Sequence, residues 1–380
     1  MSAATPSLNL DWDDFLARYW QREHCLIAGA ISDWQAPLAA DELAGLALED
    51  SVESRIVTLD AGQWQLTHGP FEPADFQRDD AWTLLVQAVD HLIPEVAALR
   101  DYFHPLPTWR IDDVMVSYAD DGGSVGPHFD HYDVFLLQGE GRRLWRIGQQ
   151  CDETSELMQH PELRLLASFD CQQEYLLEPG DMLYIPPGVA HWGIAQGECT
   201  TFSVGFRAPR IEDMLSRRVD MQLDQFVHDQ FFEDAGRARA TRAGEIPAVD
   251  RERVREQVRR QLAAFDDDRW FGELVTEPRN HMMFWEPATD AAEAVAHAAY
   301  IAPALHTRLA WQESPGGKLM VFANGTSDTH DDAALDTLLA LCVGDVLDGE
   351  RLDAARACPA SRQLLERLVE VGALYVKQGT

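Results

Sequence analysis

Lysine is nearly absent from this chain of 380 residues. Lys318 and Lys377 are its only lysines, and the other 29 of its 31 basic residues are arginine. Against 64 acidic residues, this leaves a formal net charge of −33. Phosphate contacts need basic patches, so we expect no direct nucleic-acid partner. The acidic surface suits a basic protein partner. Adaptation to a salty cytoplasm or a biased genome composition would explain the same charge equally well. The charge therefore does not decide between these explanations and a basic protein partner.

Other absences exclude further classes of protein. The six cysteines are scattered without a CxxC pair, which predicts neither a zinc site nor a disulfide framework. No apolar run approaches the length of a membrane span, and the N-terminus lacks the segments of a signal peptide. We therefore expect a cytoplasmic protein without a membrane partner. The chain also contains no P-loop, nucleophile elbow, GxGxxG or HExxH motif, so those chemistries are set aside.

A His-x-Asp pair is the most informative motif that is present. His128 and Asp130 lie in a segment, residues 126–135, whose composition predicts a strand. Alternate side chains of a strand share a face, so these two would point the same way. With one further histidine they would form the two-histidine, one-carboxylate set that suits non-haem Fe(II). The pair alone is weak evidence, because a structural histidine is the commoner explanation.

The next segments supply a possible co-substrate ligand. Residues 134–138 predict a strand, residues 139–141 a tight hairpin turn, and residues 142–148 a returning strand. In that strand Arg143 shares a face with Trp145 and Ile147, which turns it inward. A buried arginine needs an anionic partner. That partner is either a structural carboxylate of this chain or a carboxylate-bearing co-substrate.

The third metal-ligand candidate is His191, which follows the rigid Pro-Pro-Gly turn at residues 186–188. Short predicted strands separated by turns that contain proline and glycine surround it. This pattern is typical of a double-sheet fold of the jelly-roll or cupin type. Helical periodicity at residues 39–48 and 80–92 adds flanking helices. The overall expectation is an α+β fold built on a double-stranded β-helix.

The pattern changes after Pro209. Apolar residues follow helical spacing from Ile211 to Phe231, and after a polar break at 236–245 a second helix is predicted around residues 254–265. These helices form either a cap on the barrel or a dimerisation region. Beyond residue 275, residues 318–325 predict a strand and turn. Residues 333–343 and 362–371 predict helices.

Taken together, these motifs resemble the JmjC-type Fe(II)/2-oxoglutarate oxygenases, and more closely the bacterial ribosomal oxygenases that hydroxylate an arginine of a large-subunit ribosomal protein. The resemblance covers most of residues 8 to 210. Its main motifs are residues 109–113 (Trp-Arg-Ile-Asp-Asp), 126–130 (Gly-Pro-His-Phe-Asp), 132–135 (Tyr-Asp-Val-Phe), 141–143 (Gly-Arg-Arg), 179–181 (Pro-Gly-Asp), 184–188 (Tyr-Ile-Pro-Pro-Gly) with His191, and 203–209 (Ser-Val-Gly-Phe-Arg-Ala-Pro).

The resemblance implies a protein hydroxylase that uses Fe(II), 2-oxoglutarate and O2. His128, Asp130 and His191 would hold the metal. Arg143 would hold the far carboxylate of 2-oxoglutarate, with Ser117 nearby. The implied organisation is a JmjC oxygenase domain at residues 1–210, a helical dimerisation region at 211–274 and a winged-helix-like domain at 275–380. A homodimer is expected with it.

The substrate that the resemblance implies is an arginine of a basic, large-subunit ribosomal protein, hydroxylated at its β-carbon. Tyr132 and Asp113 are the candidate substrate contacts. Asp113 is one of five aspartates that could surround the mouth with negative charge, together with Asp112, Asp120, Asp121 and Asp133. Three alternatives remain: a ribosomal-protein histidine hydroxylase, an N-methyl-lysine demethylase and a non-enzymatic cupin-like metal-binding module.

Overall fold

Two antiparallel β-sheets face each other in the N-terminal part of the chain. The computed structural model describes residues 6–278 and 290–379. An eight-stranded sheet has the order β1-β9-β6-β11-β5-β4-β2-β3, and a three-stranded sheet has the order β10-β7-β8. The strands are β1 Cys25–Ile27, β2 Ser54–Asp60, β3 Gln63–His68, β4 Trp82–Val86, β5 Ile111–Ala119, β6 Val134–Gln138, β7 Arg142–Gln150, β8 Gln173–Leu177, β9 Met182–Ile185, β10 Val189–Gln196 and β11 Cys199–Phe206.

Helices cover the outer face of the large sheet. They are the α-helices α1 Trp12–Arg18, α2 Ala40–Leu46 and α3 Pro94–Ala97, and the 3-10 helices Pro73–Phe76, Val89–His91, Ala98–Phe103 and Thr108–Arg110. Phe15 of α1 and Leu43 of α2 belong to one buried core with Val114 and Val116 of β5 and Phe202 of β11. This packing gives each strand an apolar outer face and leaves its inner face for the space between the sheets.

The inner faces of the central strands are more polar. On β5 the inward residues, which alternate with the core residues Val114 and Val116, are Asp113, Met115 and Ser117. All three line a cavity between the sheets. On β11 Ser203 and Gly205 line the same cavity. This architecture confirms the predicted α+β, cupin-like JmjC fold.

Two of the local predictions that the structure contradicts concern residues 80–92 and 139–141. Residues 80–92 form no α-helix: β4 pairs with β2 and β5, and the 3-10 helix Val89–His91 follows it. All five residues of β4 are buried, so the strand shows no alternation and its apolar run resembled a helical face. Residues 139–141 form no hairpin either. The strands on either side of them, β6 and β7, belong to different sheets.

The turn at residues 139–141 is held by the beginning of β11. The Thr200 backbone N–H donates to the Glu140 carbonyl at 3.0 Å, and the Gly139 N–H donates to the Thr200 carbonyl at 2.9 Å. Gly141 has φ +62°, and a Cβ on it would lie 2.0 Å from the Glu198 carbonyl oxygen. Glycine is therefore required there, for a turn that carries the chain from one sheet to the other.

The remainder of the chain is helical and then mixed. Its elements are α4 Ile211–Asp224, α5 Ala248–Ala264, α6 Arg269–Thr276, α7 Ala291–His297, β12 Ala298–Pro303, β13 Leu309–Ser314, β14 Lys318–Ala323, β15 Thr326–Asp331, the 3-10 helix Asp332–Ala334, α8 Leu335–Cys342, β16 Leu347–Asp348, α9 Gly349–Ala357, α10 Pro359–Glu370 and β17 Leu374–Gln378. These bounds confirm the strand, turn and helices predicted beyond residue 318. Within the described residues, no helix is both long and apolar enough to cross a bilayer.

Helix α4 is shorter than its apolar periodicity predicted. It ends at Asp224, whereas the helical spacing continued to Phe231. Val227 and Phe231 are 84% and 80% exposed, so they have no packing partner that would hold a further helical turn. Helix α6 spans the predicted boundary at residue 275 and packs against Phe322 of β14 through Gly272.

Candidate metal and co-substrate site

The structure brings His128, Asp130 and His191 together. One ligand atom from each side chain lies within 4.8 Å of the others, and within the described residues no other group of three metal-binding side chains does so. The His191 Nε2 atom is 3.6 Å from an Asp130 carboxylate oxygen, and the two imidazole centroids are 4.2 Å apart. The spacing lets one ion bind all three.

The segment around the His-x-Asp pair is a loop rather than the predicted strand. Only His128 makes a β-bridge, to His191, and the regular strand begins at Val134. Gly126 has φ +84° and Pro127 donates no hydrogen bond, which together prevent a continuous ladder. The reciprocal His128–His191 backbone bonds, 3.1 and 2.8 Å long, bring the two histidines side by side.

Backbone carbonyls orient both imidazoles. The Nδ1 atom of His128 lies 2.9 Å from the Gly126 carbonyl oxygen, and that of His191 lies 3.0 Å from the Val189 carbonyl oxygen. Each Nδ1 therefore carries the proton, and each Nε2 keeps a lone pair for a metal. Burial lowers the pKa of His191 to about 4, which keeps the ring neutral at physiological pH.

This donor set fits Fe(II). Two neutral imidazole nitrogens and one carboxylate oxygen on one side leave the opposite positions of an octahedral ion open. A structural zinc site would instead close a tetrahedron with a fourth protein ligand, commonly cysteine. The residues present are therefore suited to a metal that must bind a co-substrate and oxygen.

Arg143 is buried, as its strand position predicted, with 5% of its surface exposed. Its Nη1 donates to the hydroxyls of Ser117 and Thr201, each at 3.2 Å, and its Nε has no hydrogen-bond partner among the described residues. Burial lowers its pKa, and no carboxylate contributes to its electrostatic environment. The structural salt bridge is thus excluded within the described residues, and a carboxylate ligand would supply the missing anion.

Several residues beside Arg143 were not predicted from the sequence. Thr201 lies opposite Ser117 in the pairing of β5 with β11, and its hydroxyl, like that of Ser117, accepts a hydrogen bond from Arg143. The Trp145 ring lies 5.7 Å from the Arg143 guanidinium carbon and 5.9 Å from the His191 ring. The sequence signal for Thr201 was its position two residues before Ser203, which places both hydroxyls on the inner face of β11.

The cavity beside the metal cluster has a volume of about 630 Å³. Asp113 and Tyr132 meet there on either side of Gly205. A Cβ on Gly205 would lie 3.6 Å from Asp113 Oδ1 and 4.0 Å from the Tyr132 ring. The other oxygen of Asp113 accepts hydrogen bonds from Gln87 Nε2 at 2.5 Å and from the Ala88 N–H at 3.0 Å.

The remaining aspartates do not form the expected ring of charge. Asp133 is fully buried and accepts hydrogen bonds from Tyr184 and Arg110 at 2.6 and 3.0 Å, which gives it a structural role. Asp112 pairs with Arg308. Asp121 accepts from the Gly197 N–H, away from the cavity. Of the five candidates, Asp112 and Asp113 line the cavity, and Asp113 lies on the inner face of β5.

Comparison with known proteins agrees with this site. Residues 98–214 match the model of the JmjC domain, and residues 266–375 match the model of the ROXA-like winged helix. A model of the AraC-like ligand-binding domain matches residues 169–264. The first match contains all three clustered metal-ligand candidates and Arg143.

Curated relatives are similar over a larger part of the chain. The ribosomal protein uL16 3-hydroxylase of Escherichia coli is 39% identical over 276 residues, which are 72% of this chain and 74% of that protein. A probable ribosomal oxygenase of Haemophilus influenzae is 37% identical over 207 residues, 53% of this chain and 50% of that protein.

A solved structure is similar over nearly the whole length. The structure of YcfD, a ribosomal oxygenase from Escherichia coli, in complex with cobalt and 2-oxoglutarate has a TM-score of 0.83 and 33% sequence identity. The match covers 98% of this chain and 99% of that one. Fold, site geometry and extended sequence identity thus agree, and the chain belongs to the JmjC-domain ribosomal oxygenases, a family of Fe(II)- and 2-oxoglutarate-dependent enzymes.

Proposed function

We propose that this chain hydroxylates an arginyl side chain of a large-subunit ribosomal protein at its β-carbon. The observation that carries the proposal is the Asp113 carboxylate. Gln87 and Ala88 hold one oxygen, and the other lies beside Gly205 in the cavity that contains the metal cluster. A buried carboxylate without a cationic partner is suited to a guanidinium, and Tyr132 offers an aromatic surface for the arginine stem or head.

In this assignment His128, Asp130 and His191 bind Fe(II), and Arg143 binds the far carboxylate of 2-oxoglutarate with Ser117 and Thr201 beside it. When bound, the iron and 2-oxoglutarate use O2 to insert one oxygen atom into a C–H bond, with succinate and carbon dioxide as co-products. The protein holds the imidazoles in the metal-binding tautomer and excludes water with apolar residues such as Trp145 and Val134.

The test uses two peptides that differ only at the target residue, arginine in one and lysine in the other. We expect a mass gain of one oxygen atom on the arginine peptide, because lysine cannot reproduce the planar fork of the guanidinium. A third peptide carries histidine at the same position. Equal oxidation of the arginine and lysine peptides would contradict the assignment. Oxidation of the histidine peptide alone would also contradict it and would favour the histidine-hydroxylase alternative. Loss of a methyl group from an N-methyl-lysine peptide would indicate the demethylase.

We also propose that the protein acts in the cytoplasm as a homodimer joined through α4 and α5. Exposed apolar side chains lie along both helices: Leu215 is 59% exposed, Leu223 56% and Val258 52%. Exposed apolar side chains in such number on two successive helices favour an interface with a partner. Sedimentation should show a dimer at micromolar concentration, and glutamate at Leu223 and Phe226 should dissociate it. A wild-type monomer would contradict this arrangement.

We retain the proposed division into an oxygenase domain to residue 210, a dimerisation region to 274 and a C-terminal domain beyond it. The chain leaves β11 at Phe206, and the separate C-terminal core includes residues from Ala291 to Leu374. Limited proteolysis that cuts near residues 210 and 274, followed by mass measurement of the fragments, would test the two boundaries.

A further inference from the structure

A buried ion pair joins the C-terminal region to the strand that carries Asp113. Arg308 lies between β12 and β13, and its Nη2 donates to the Asp112 carboxylate at 2.5 Å and to the Asp112 carbonyl oxygen at 2.7 Å. The two side chains are only 10% and 7% exposed. The Arg308 Nη1 also donates to the Glu277 carbonyl at 3.0 Å. The guanidinium is therefore fixed against β5 by several hydrogen bonds.

Asp112 lies on the wall between two cavities. It lines the metal cavity and also a second cavity of about 790 Å³ between the oxygenase domain and the C-terminal region. Its neighbour Asp113 projects from the opposite face of β5 toward the proposed substrate position. A charge on Asp112 therefore acts on Asp113 through protein rather than through bulk water, where the interaction would be weak.

The surroundings of Asp113 are predominantly negative. Burial, Asp112 and Asp90 together raise its pKa to about 6. Asp112 on β5, Asp90 on the 3-10 helix Val89–His91 and Tyr132 on the metal loop interact electrostatically with Asp113. Arg55 on β2 and Asp130 on the metal loop line the same cavity and interact with Tyr132. Asp90 is neutralised by Arg100 at 3.3 Å, as Asp112 is by Arg308.

We propose that Arg308 is a positioning residue for the substrate: by neutralising Asp112, it keeps the adjacent Asp113 ionised and able to bind the substrate guanidinium. The C-terminal region thereby contributes to a site whose substrate-binding residues all belong to the oxygenase domain. The inference rests on the proposed arginine substrate. It assigns to the winged-helix-like region a role in the affinity for a cationic side chain.

The test compares Arg308→Gln with the wild type across a range of pH. Arg308→Gln removes a buried positive charge next to Asp112, so the negative charge of Asp112 weighs more on Asp113. The acidic limb of the pH profile of kcat/KM for the arginine peptide should therefore move up by about one pH unit. At pH 6, KM for the peptide then rises about fivefold, whereas above pH 8 the two enzymes converge. KM for 2-oxoglutarate should stay unchanged, because Arg143 is untouched.

Two further variants separate electrostatics from structure. Asp112→Asn breaks the same ion pair but removes the negative charge, so its acidic limb should move down, opposite to that of Arg308→Gln. Arg308→Lys keeps the charge and should leave the limb in place. Arg351→Gln is the matched control, because Arg351 pairs with Asp345 at 2.6 Å within the C-terminal region and away from β5.

Two results would overturn the inference. In the first, the ratio of the peptide KM of Arg308→Gln to that of the wild type does not change with pH. In the second, the acidic limbs of the pH profiles move in the same direction in Arg308→Gln and in Asp112→Asn. If Arg308→Gln does not fold, the direction of the Asp112→Asn limb decides: a downward shift supports the inference and an unmoved limb refutes it. Wild-type inactivity toward the arginine peptide refutes the proposed function instead. Wild-type activity with an unmoved limb in Arg308→Gln refutes only the role of Arg308.

Discussion

Replacing Arg143 by alanine tests the proposed co-substrate site most directly. Arg143 is buried, interacts with the Ser117 and Thr201 hydroxyls and the Cys199 thiol, and has no carboxylate partner among the described residues. Removing one member of a buried, hydrogen-bonded charge pair costs about 2–5 kcal/mol. At about 1.4 kcal/mol for each tenfold change, KM for 2-oxoglutarate should rise by about 30-fold to more than a thousandfold.

The neighbouring Arg142 provides the matched control. It is exposed at the start of β7, and its side chain points away from the cavity. Arg142→Ala should change KM for 2-oxoglutarate by less than about twofold, since exposed charges contribute little. Succinate formation gives KM, and calorimetric titration of the metal-loaded protein with 2-oxoglutarate gives the affinity without turnover.

Either of two results would refute this reasoning. The first is an Arg142→Ala variant that is more damaged than Arg143→Ala, which would mean that the inward face of β7 does not hold the co-substrate. The second is an Arg143→Ala variant that binds 2-oxoglutarate as the wild type does. Arg143→Lys should recover part of the affinity, because it restores the charge without the bidentate fork.

Three further predictions concern the metal and the substrate side. Alanine at any of the three proposed metal ligands should abolish succinate formation and leave the circular dichroism spectrum unchanged; a variant that retains turnover removes that residue from the site. Asp113→Asn should raise the melting temperature at pH 8 yet abolish arginine-peptide turnover, because the raised pKa of Asp113, about 6, makes its ionised form costly above pH 6; equal melting temperatures would contradict this. Gly205→Ala should raise KM for the peptide by about tenfold but not KM for 2-oxoglutarate, whereas Gly45→Ala, on an open helix surface, should change neither.

The sequence predicted the double-sheet fold because its strands are short and separated by turns such as Pro179-Gly180 and Pro186-Pro187-Gly188. It placed Arg143 on the buried face of β7 because strand alternation is a local property. It could not assign β6 and β7 to different sheets, since that pairing depends on contacts with β9, β10 and β11, which are distant in the chain. Strand β4 was missed for a related reason, because burial on both faces removes the alternation.

The candidate site shows the same division between local and distant information. His128 and Asp130 lie two residues apart in the sequence, and their side chains lie close together in the structure even though the segment is a loop. The contribution of Arg308, nearly two hundred residues beyond Asp112, has no local signal. Its guanidinium reaches Asp112 only because the C-terminal region packs against β5. Sequence reasoning therefore predicted three side chains that the structure brings together, His128, Asp130 and His191, and could not predict the ion pair between Arg308 and Asp112.

Two buried charges of opposite sign mark the two ends of the proposed reaction. Among the described residues, Arg143 has no carboxylate partner and Asp113 has no arginine or lysine hydrogen-bonded to it, and burial disfavours the charged form of each. A protein that kept such groups only for stability would gain from replacing them with apolar residues of similar size. In the proposed function each charge matches one reactant, a carboxylate for Arg143 and a guanidinium for Asp113. Binding of 2-oxoglutarate should therefore stabilise the fold before any peptide is added, and the arginine peptide should stabilise it further only while Asp113 is ionised.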